Sequence, residues 1–175
     1  FQPAPWARLT GGTRADYFQF NVRNLCQTDC PQNPSGSVDA TIMTTKGNLI
    51  LGPWAGTEIF LNAGTGFHSN DARAVVNSSN VQALPKATGY EVGLRTRQWD
   101  RLEVSASFWL LDLTSELVYQ GNLGTTQILG ATRRYGTDLG SRLQLLDWLS
   151  LSGTVTLNSA EFRETGNPIP QAPTL

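Results

Sequence analysis

The chain has 175 residues and a formal net charge of −1. That length suits one domain, and the charge lacks the basic excess that a nucleic-acid partner requires. Only 15% of residues are charged, against roughly 25% in an ordinary soluble domain. No stretch approaches the roughly 18 consecutive apolar residues of a transmembrane helix. A membrane barrel stays open, because its strands alternate lipid-facing and lumen-facing residues and keep a mean hydropathy near that of soluble proteins.

Alternation of apolar and polar residues predicts seven strands, over 6–22, 38–51, 56–67, 88–98, 101–118, 131–145 and 149–162. In the first, Leu9, Gly11, Thr13, Ala15 and Tyr17 alternate with Arg8, Thr10, Gly12, Arg14 and Asp16. The second is the least regular, but its Thr and β-branched content still reads as strand. In the third, Ile59, Leu61, Ala63, Thr65 and Phe67 share a face opposite Glu58, Phe60 and Asn62. The fourth sets Tyr90, Val92 and Leu94 against Glu91, Gly93, Arg95 and Arg97. The fifth sets Leu102, Val104, Ala106, Phe108 and Leu110 against Glu103, Ser105, Ser107 and Trp109. The last two set Tyr135, Leu139 and Leu143, then Leu151, Val155 and Leu157, against Asp138 and Arg142, then Ser152 and Thr156. On the six regular strands the apolar face contains no charged residue through these quoted spans.

A soluble sandwich alternates too, so periodicity alone does not separate it from a barrel. The connections do. They run long (24–37), short (52–55), long (68–87), short (99–100), medium (120–130) and short (146–148). Short periplasmic turns with longer extracellular loops are the grammar of an up-and-down bacterial barrel. Trp54, Trp99 and Trp148 lie in or beside the three short turns, and Trp6 opens the first strand at the same end. Trp favours the membrane interface, where its ring is buried and its N–H stays wet. Tyr17, Phe67, Tyr119 and Tyr135 are expected to form a second girdle at the opposite end.

Little here suggests catalysis or a metal. His68, Ser69 and Asp71 are contiguous, and contiguous residues do not converge as nucleophile, base and orienter. His68 is the single histidine and is far from Cys26 and Cys30, so a zinc ligand set is not assembled. The two cysteines are expected to form a small disulfide in an exposed loop, in an oxidising compartment. Arg133 and Arg134 offer a small anion patch, or simply charge at a strand end. Glu91, Arg95, Arg97, Asp138 and Arg142 are the candidate lumen-facing binding residues. Their plainer reading is a set of solvated, mutually paired side chains. No catalytic residue, metal or cofactor is expected.

Several segments, taken in order, resemble the barrel of TonB-dependent outer-membrane receptors. The most specific is the strand from Thr57 that ends in Gly66-Phe67-His68-Ser69-Asn70-Asp71-Ala72-Arg73. A second is Gly89-Tyr90-Glu91-Val92-Gly93. A third is Ser115-Glu116-Leu117-Val118-Tyr119 followed by Arg133-Arg134-Tyr135-Gly136, and Ile169-Pro170-Gln171-Ala172-Pro173 resembles the start of a further strand. The resemblance covers most of residues 5–173. It implies an all-β, antiparallel, up-and-down transmembrane barrel of about 22 strands, of which residues 1–175 form a partial barrel domain lacking the plug and the C-terminal strands. It further implies no enzymatic activity, a location in the Gram-negative outer membrane, and energised uptake of a scarce nutrient such as an iron–siderophore complex. The implied partners are outer-membrane lipid, the protein's own plug domain, the inner-membrane TonB complex and a small-molecule ligand. Phe1 opens without a signal peptide and Leu175 is an abrupt stop, so truncation at both ends is expected. The alternatives are a passive porin-type barrel without a plug and a soluble all-β binding domain.

Overall fold

The computed structural model describes residues 1–25, 35–120 and 125–169, with the strands over 116–120 and 125–129 described by their backbone only. The main sheet has seven strands: β1 (Ala7–Val22), β2 (Gly36–Trp54), β3 (Thr57–Phe67), β4 (Lys86–Gln98), β5 (Leu102–Leu113), β8 (Thr132–Leu146) and β9 (Leu149–Phe162). They lie in the order β1-β2-β3-β4-β5-β8-β9, and every neighbouring pair is antiparallel. A separate hairpin, β6 (Glu116–Gln120) with β7 (Thr125–Leu129), interrupts the meander between β5 and β8. One short helix, α1 (Ala72–Asn77), lies in the loop between β3 and β4. No helix among the described residues is long and apolar enough to cross a membrane, which says nothing of strands.

Register turns the alternation of single strands into two continuous faces. One row of paired positions runs Leu9, Leu49, Leu61, Val92, Phe108, Thr137, Leu157. The next runs Leu51, Ile59, Leu94, Ala106, Leu139, Val155. Because side chains repeat with period two, a one-residue slip in any pair would throw an apolar set onto the other face. No slip breaks these rows, and the bulge near Leu51 comes after the last of them. The large side chains on this face are bare: Leu9, Leu61, Val92, Leu94, Phe108, Leu139, Val155 and Leu157 are 41–54% exposed. Each such Leu or Val forgoes about half of the roughly 1.5–3 kcal/mol that full burial contributes, and summed over the rows this face needs an apolar covering.

The turns at one end are tight. Trp99 and Asp100 both adopt positive φ, 52° and 55°, as do Ala55 and Gly56. This is the handedness that matches strand twist in a two-residue hairpin. A Trp in this conformation carries strain of order 1 kcal/mol, tolerated here because the turn fixes the register of β4 on β5. Trp6, Trp54, Trp99 and Trp148 are all exposed at this end, as the sequence predicts.

Three details differ from the expectations. The strand predicted over 101–118 breaks after Leu113. There Thr114 donates its N–H to the Lys86 carbonyl (3.0 Å), its hydroxyl oxygen accepts from the Lys86 N–H (3.1 Å), and the chain leaves the sheet for the β6–β7 hairpin. The predicted turn over 52–55 shortens to Ala55-Gly56, because β2 continues past a bulge between Leu51 and Trp54, where the Gly52 N–H donates to the Trp6 carbonyl at 2.8 Å. Phe67 is not in a girdle: its ring meets Phe18 edge-on at 5.5 Å, within a cluster on the other face. Tyr17 and Tyr90 are exposed on the apolar face. The Tyr119 side chain, Cys26 and Cys30 lie outside what is described, so the expected disulfide is untouched.

The polar wall as candidate functional site

Strand alternation delivers the charged side chains to the face opposite the apolar rows, and register brings them together across strands. Glu58 on β3 pairs with Arg95, its neighbour on β4, the Arg95 Nε donating to Oε2 at 2.7 Å, and its other oxygen is held by Arg8 from β1. Arg97 is paired in register with Glu103 and donates Nε to it at 2.9 Å. Arg142 is opposite Glu103 on the next strand. Asn62 donates to Glu91 at 2.9 Å. Glu58, Arg95, Arg97, Glu103, Ser105 and Arg142 line an open trough of about 860 Å³ near the tight turns, while Asn62 and Glu91 lie on a separate, shallower one.

Four of the five candidate residues thus join cross-strand contacts or neighbours, and Asp138 stands in register between Ser107 and Thr156. Exposed pairs of this kind contribute little to stability in water. Their effect rises when the wall is covered and the local dielectric falls. Asp100 also lines the trough, so Arg95, Arg97 and Arg142 are matched there by Glu58, Asp100 and Glu103.

Two aromatic residues complete the wall, and the sequence reading passed over them. Phe60 is paired with Gly93 and Trp109 with Gly136, and each ring lies over its glycine. A Cβ on Gly136 would sit 2.7 Å from the Trp109 ring and 2.5 Å from the Leu157 carbonyl oxygen. Gly136, singled out in the Arg-Arg-Tyr-Gly stretch, is therefore the seat of Trp109. The available signal was an aromatic residue at a polar-face position. Gly136→Val is expected to destabilise the protein by about 1–3 kcal/mol. Trp109→Ala should restore part of the loss, because the carbonyl clash persists. Urea titration of the folded barrel on a gel measures both, and a neutral Gly136→Val would remove the seat.

The Gly66–Arg73 stretch is built as a structural corner. His68 donates its N–H to the Pro85 carbonyl at 3.2 Å. Asn70 is buried, with Nδ2 donating to the Gln82 carbonyl at 2.6 Å and its N–H to the Ala83 carbonyl at 3.0 Å. Asp71 caps α1 by accepting the Arg73 N–H at 2.8 Å. The Arg73 guanidinium, hydrogen-bonded to Asp71, holds that carboxyl down at about 2, so the cap is ionised at any ordinary pH. Ser69 is exposed at this corner. Arg133 and Arg134 alternate onto opposite faces and so form no single anion patch. Arg133 is engaged by Asp112, with Nε donating at 2.8 Å and a terminal nitrogen at 2.9 Å.

An exposed apolar face backed by a charged, trough-bearing wall on an up-and-down meander has solved counterparts. The copper transporter OprC superposes with a TM-score of 0.73 at 20% identity, covering 97% of this chain and 28% of its own. The alcaligin outer-membrane receptor FauA from Bordetella pertussis gives 0.69 at 17%, covering 97% and 30%. The FrpB iron transporter from Neisseria meningitidis gives 0.68 at 15%, covering 91% and 24%. The chain thus spans under a third of the length of these structures, and at such identities the likeness is one of fold. No curated protein sequence matches the chain. Family membership comes from the sequence itself: residues 1–175 match the family described as TonB dependent receptor-like, beta-barrel, and the chain belongs to that family.

Proposed function

We propose that these residues form part of the wall of a Gram-negative outer-membrane receptor, a barrel of about 22 strands, that imports a scarce nutrient complexed with metal, such as an iron–siderophore. The observation that carries the reading is the continuous, exposed apolar face over all seven strands, rimmed by tryptophans at the tight-turn end. Such a face suits hydrocarbon, and lipid-facing strands of bacterial barrels have this pattern. In this reading the opposite wall lines the lumen, and Glu91, Arg95, Arg97, Asp138 and Arg142 meet the plug domain or the water around it. The cargo class is supported by the solved counterparts, which are a copper transporter, an iron transporter and an alcaligin receptor. The plug, the TonB complex and the ligand are partners through the rest of the protein.

Deleting the gene is expected to abolish uptake of one radiolabelled ferric siderophore, and disrupting the energy-transducing complex is expected to do the same. Uptake that survives that disruption would favour the passive barrel.

Topology has its own test. In intact cells a cysteine at Ser78, in the β3–β4 loop, should react with an impermeant thiol reagent, and one at Asp100, in the β4–β5 turn, should not. The reverse pattern would invert the barrel.

A further inference from the structure

The long loop between β3 and β4 does not stand away from the wall. Val75 of α1 and Leu84 are each 5% exposed, and they close over Phe20, which is 8% exposed. Phe18, Ala40 and Ile42 pack around them. Phe18 and Phe20 share the parity of Arg8 and Asp16, and Phe18 is in register with Ala40, so the covered patch belongs to the polar, lumen-side face of β1 and β2. An apolar patch on that face has no use in a water-filled lumen unless something covers it.

The docking is specific in shape. A Cβ on Gly36, at the start of β2, would come within 2.8 Å of a Val76 methyl, so Val76 seats directly on that backbone. The neck of the loop is closed by the hydrogen bonds of Asn70 and His68 to Gln82, Ala83 and Pro85. A third tie runs from the Thr114 hydroxyl at the end of β5 to the Gln82 side-chain oxygen, at 3.2 Å. Mobile capture loops have few buried apolar contacts and solvent-exposed backbone hydrogen bonds. This one has a buried apolar centre and a hydrogen-bonded neck.

We propose that residues 68–85 form a fixed ledge docked on the inner wall of β1 and β2, narrowing the outer mouth on that side. The word mouth rests on the lumen reading above, but the docking does not.

The test uses the full-length receptor in outer-membrane fragments, with Cys26 and Cys30 replaced by serine. Arg73 is the one trypsin site within 68–85. The unaltered loop should resist cutting there, and Val75→Asp should be cut at least ten-fold faster while the barrel still migrates as a folded band. Gly36→Val, which leaves the loop's own sequence intact, should give the same acceleration and serves if Val75→Asp does not fold. Ala40→Cys, beneath the ledge, should react slowly with an impermeant maleimide, and at least ten-fold faster when combined with either variant. Rapid cutting of the unaltered loop, or equal labelling of Ala40→Cys with and without the second change, would overturn the ledge. Neither readout needs a transported ligand, so a failed uptake assay leaves the ledge standing, and an undocked loop leaves the receptor reading standing.

Discussion

Val155→Arg in the complete receptor is expected to cost about 2–4 kcal/mol of folding stability, while Thr156→Arg, one residue on, should cost under ~1 kcal/mol. Val155 is 54% exposed and lies midway along β9, in the row shared with Leu139, Ala106 and Leu94. If that row faces hydrocarbon, a guanidinium there must snorkel or draw water into the bilayer. Thr156 points the other way and is paired with Asp138, so a new arginine would find water and an acid. Denaturant titration of both variants folded into lipid vesicles measures the difference. Equal costs for the two changes would remove the assignment of faces, and with it the membrane reading of the fold.

Much of this was legible in the sequence because one rule governs it. Where alternation was unbroken, as from Leu102 to Leu110 or Leu149 to Leu157, both the strand and the facing of each residue were readable, since lipid and water select opposite residue types at successive positions. The end of β5 was not readable. Leu113, Leu117 and Val118 look like a continuing strand, and the break comes from hydrogen bonds between Thr114 and Lys86, residues 28 apart in the chain. Helix α1 was missed for a related reason. Its six residues are too few to show a helical period, and its stability comes from Phe20 and Leu84 on other elements. The charged members of the wall were found by parity, but their grouping was not. That Glu58 would bridge Arg8 and Arg95 depends on the stagger of three strands, which no single strand encodes. Phe60 and Trp109 were on the polar face in plain view, but the meaning of an aromatic residue there emerges only when a glycine stands opposite.

Residues 1–175 purified by themselves are expected to form no monodisperse monomer without detergent. The argument is one of backbone and surface together. Among the described residues no further strand flanks β1 or β9; beyond the ties of Phe1 to Leu9 and of Pro168 and Ile169 to Glu161 and Ala160, each outer edge leaves N–H and C=O groups able to template another chain. The apolar face adds bare leucines, valines and aromatics across all the strands, far beyond the isolated patches that soluble monomers tolerate. Moving the sheet into a bilayer does not help. It covers the apolar face but strips water from the edges, where each unsatisfied group costs several kcal/mol in hydrocarbon. Only closure with further strands satisfies both requirements, and closure must come from the rest of the receptor or from other copies. Size-exclusion chromatography with light scattering in plain buffer should therefore show high-mass species. A single 19.1 kDa peak would mean that the apolar face finds its covering within these 175 residues, as it would in a soluble binding domain.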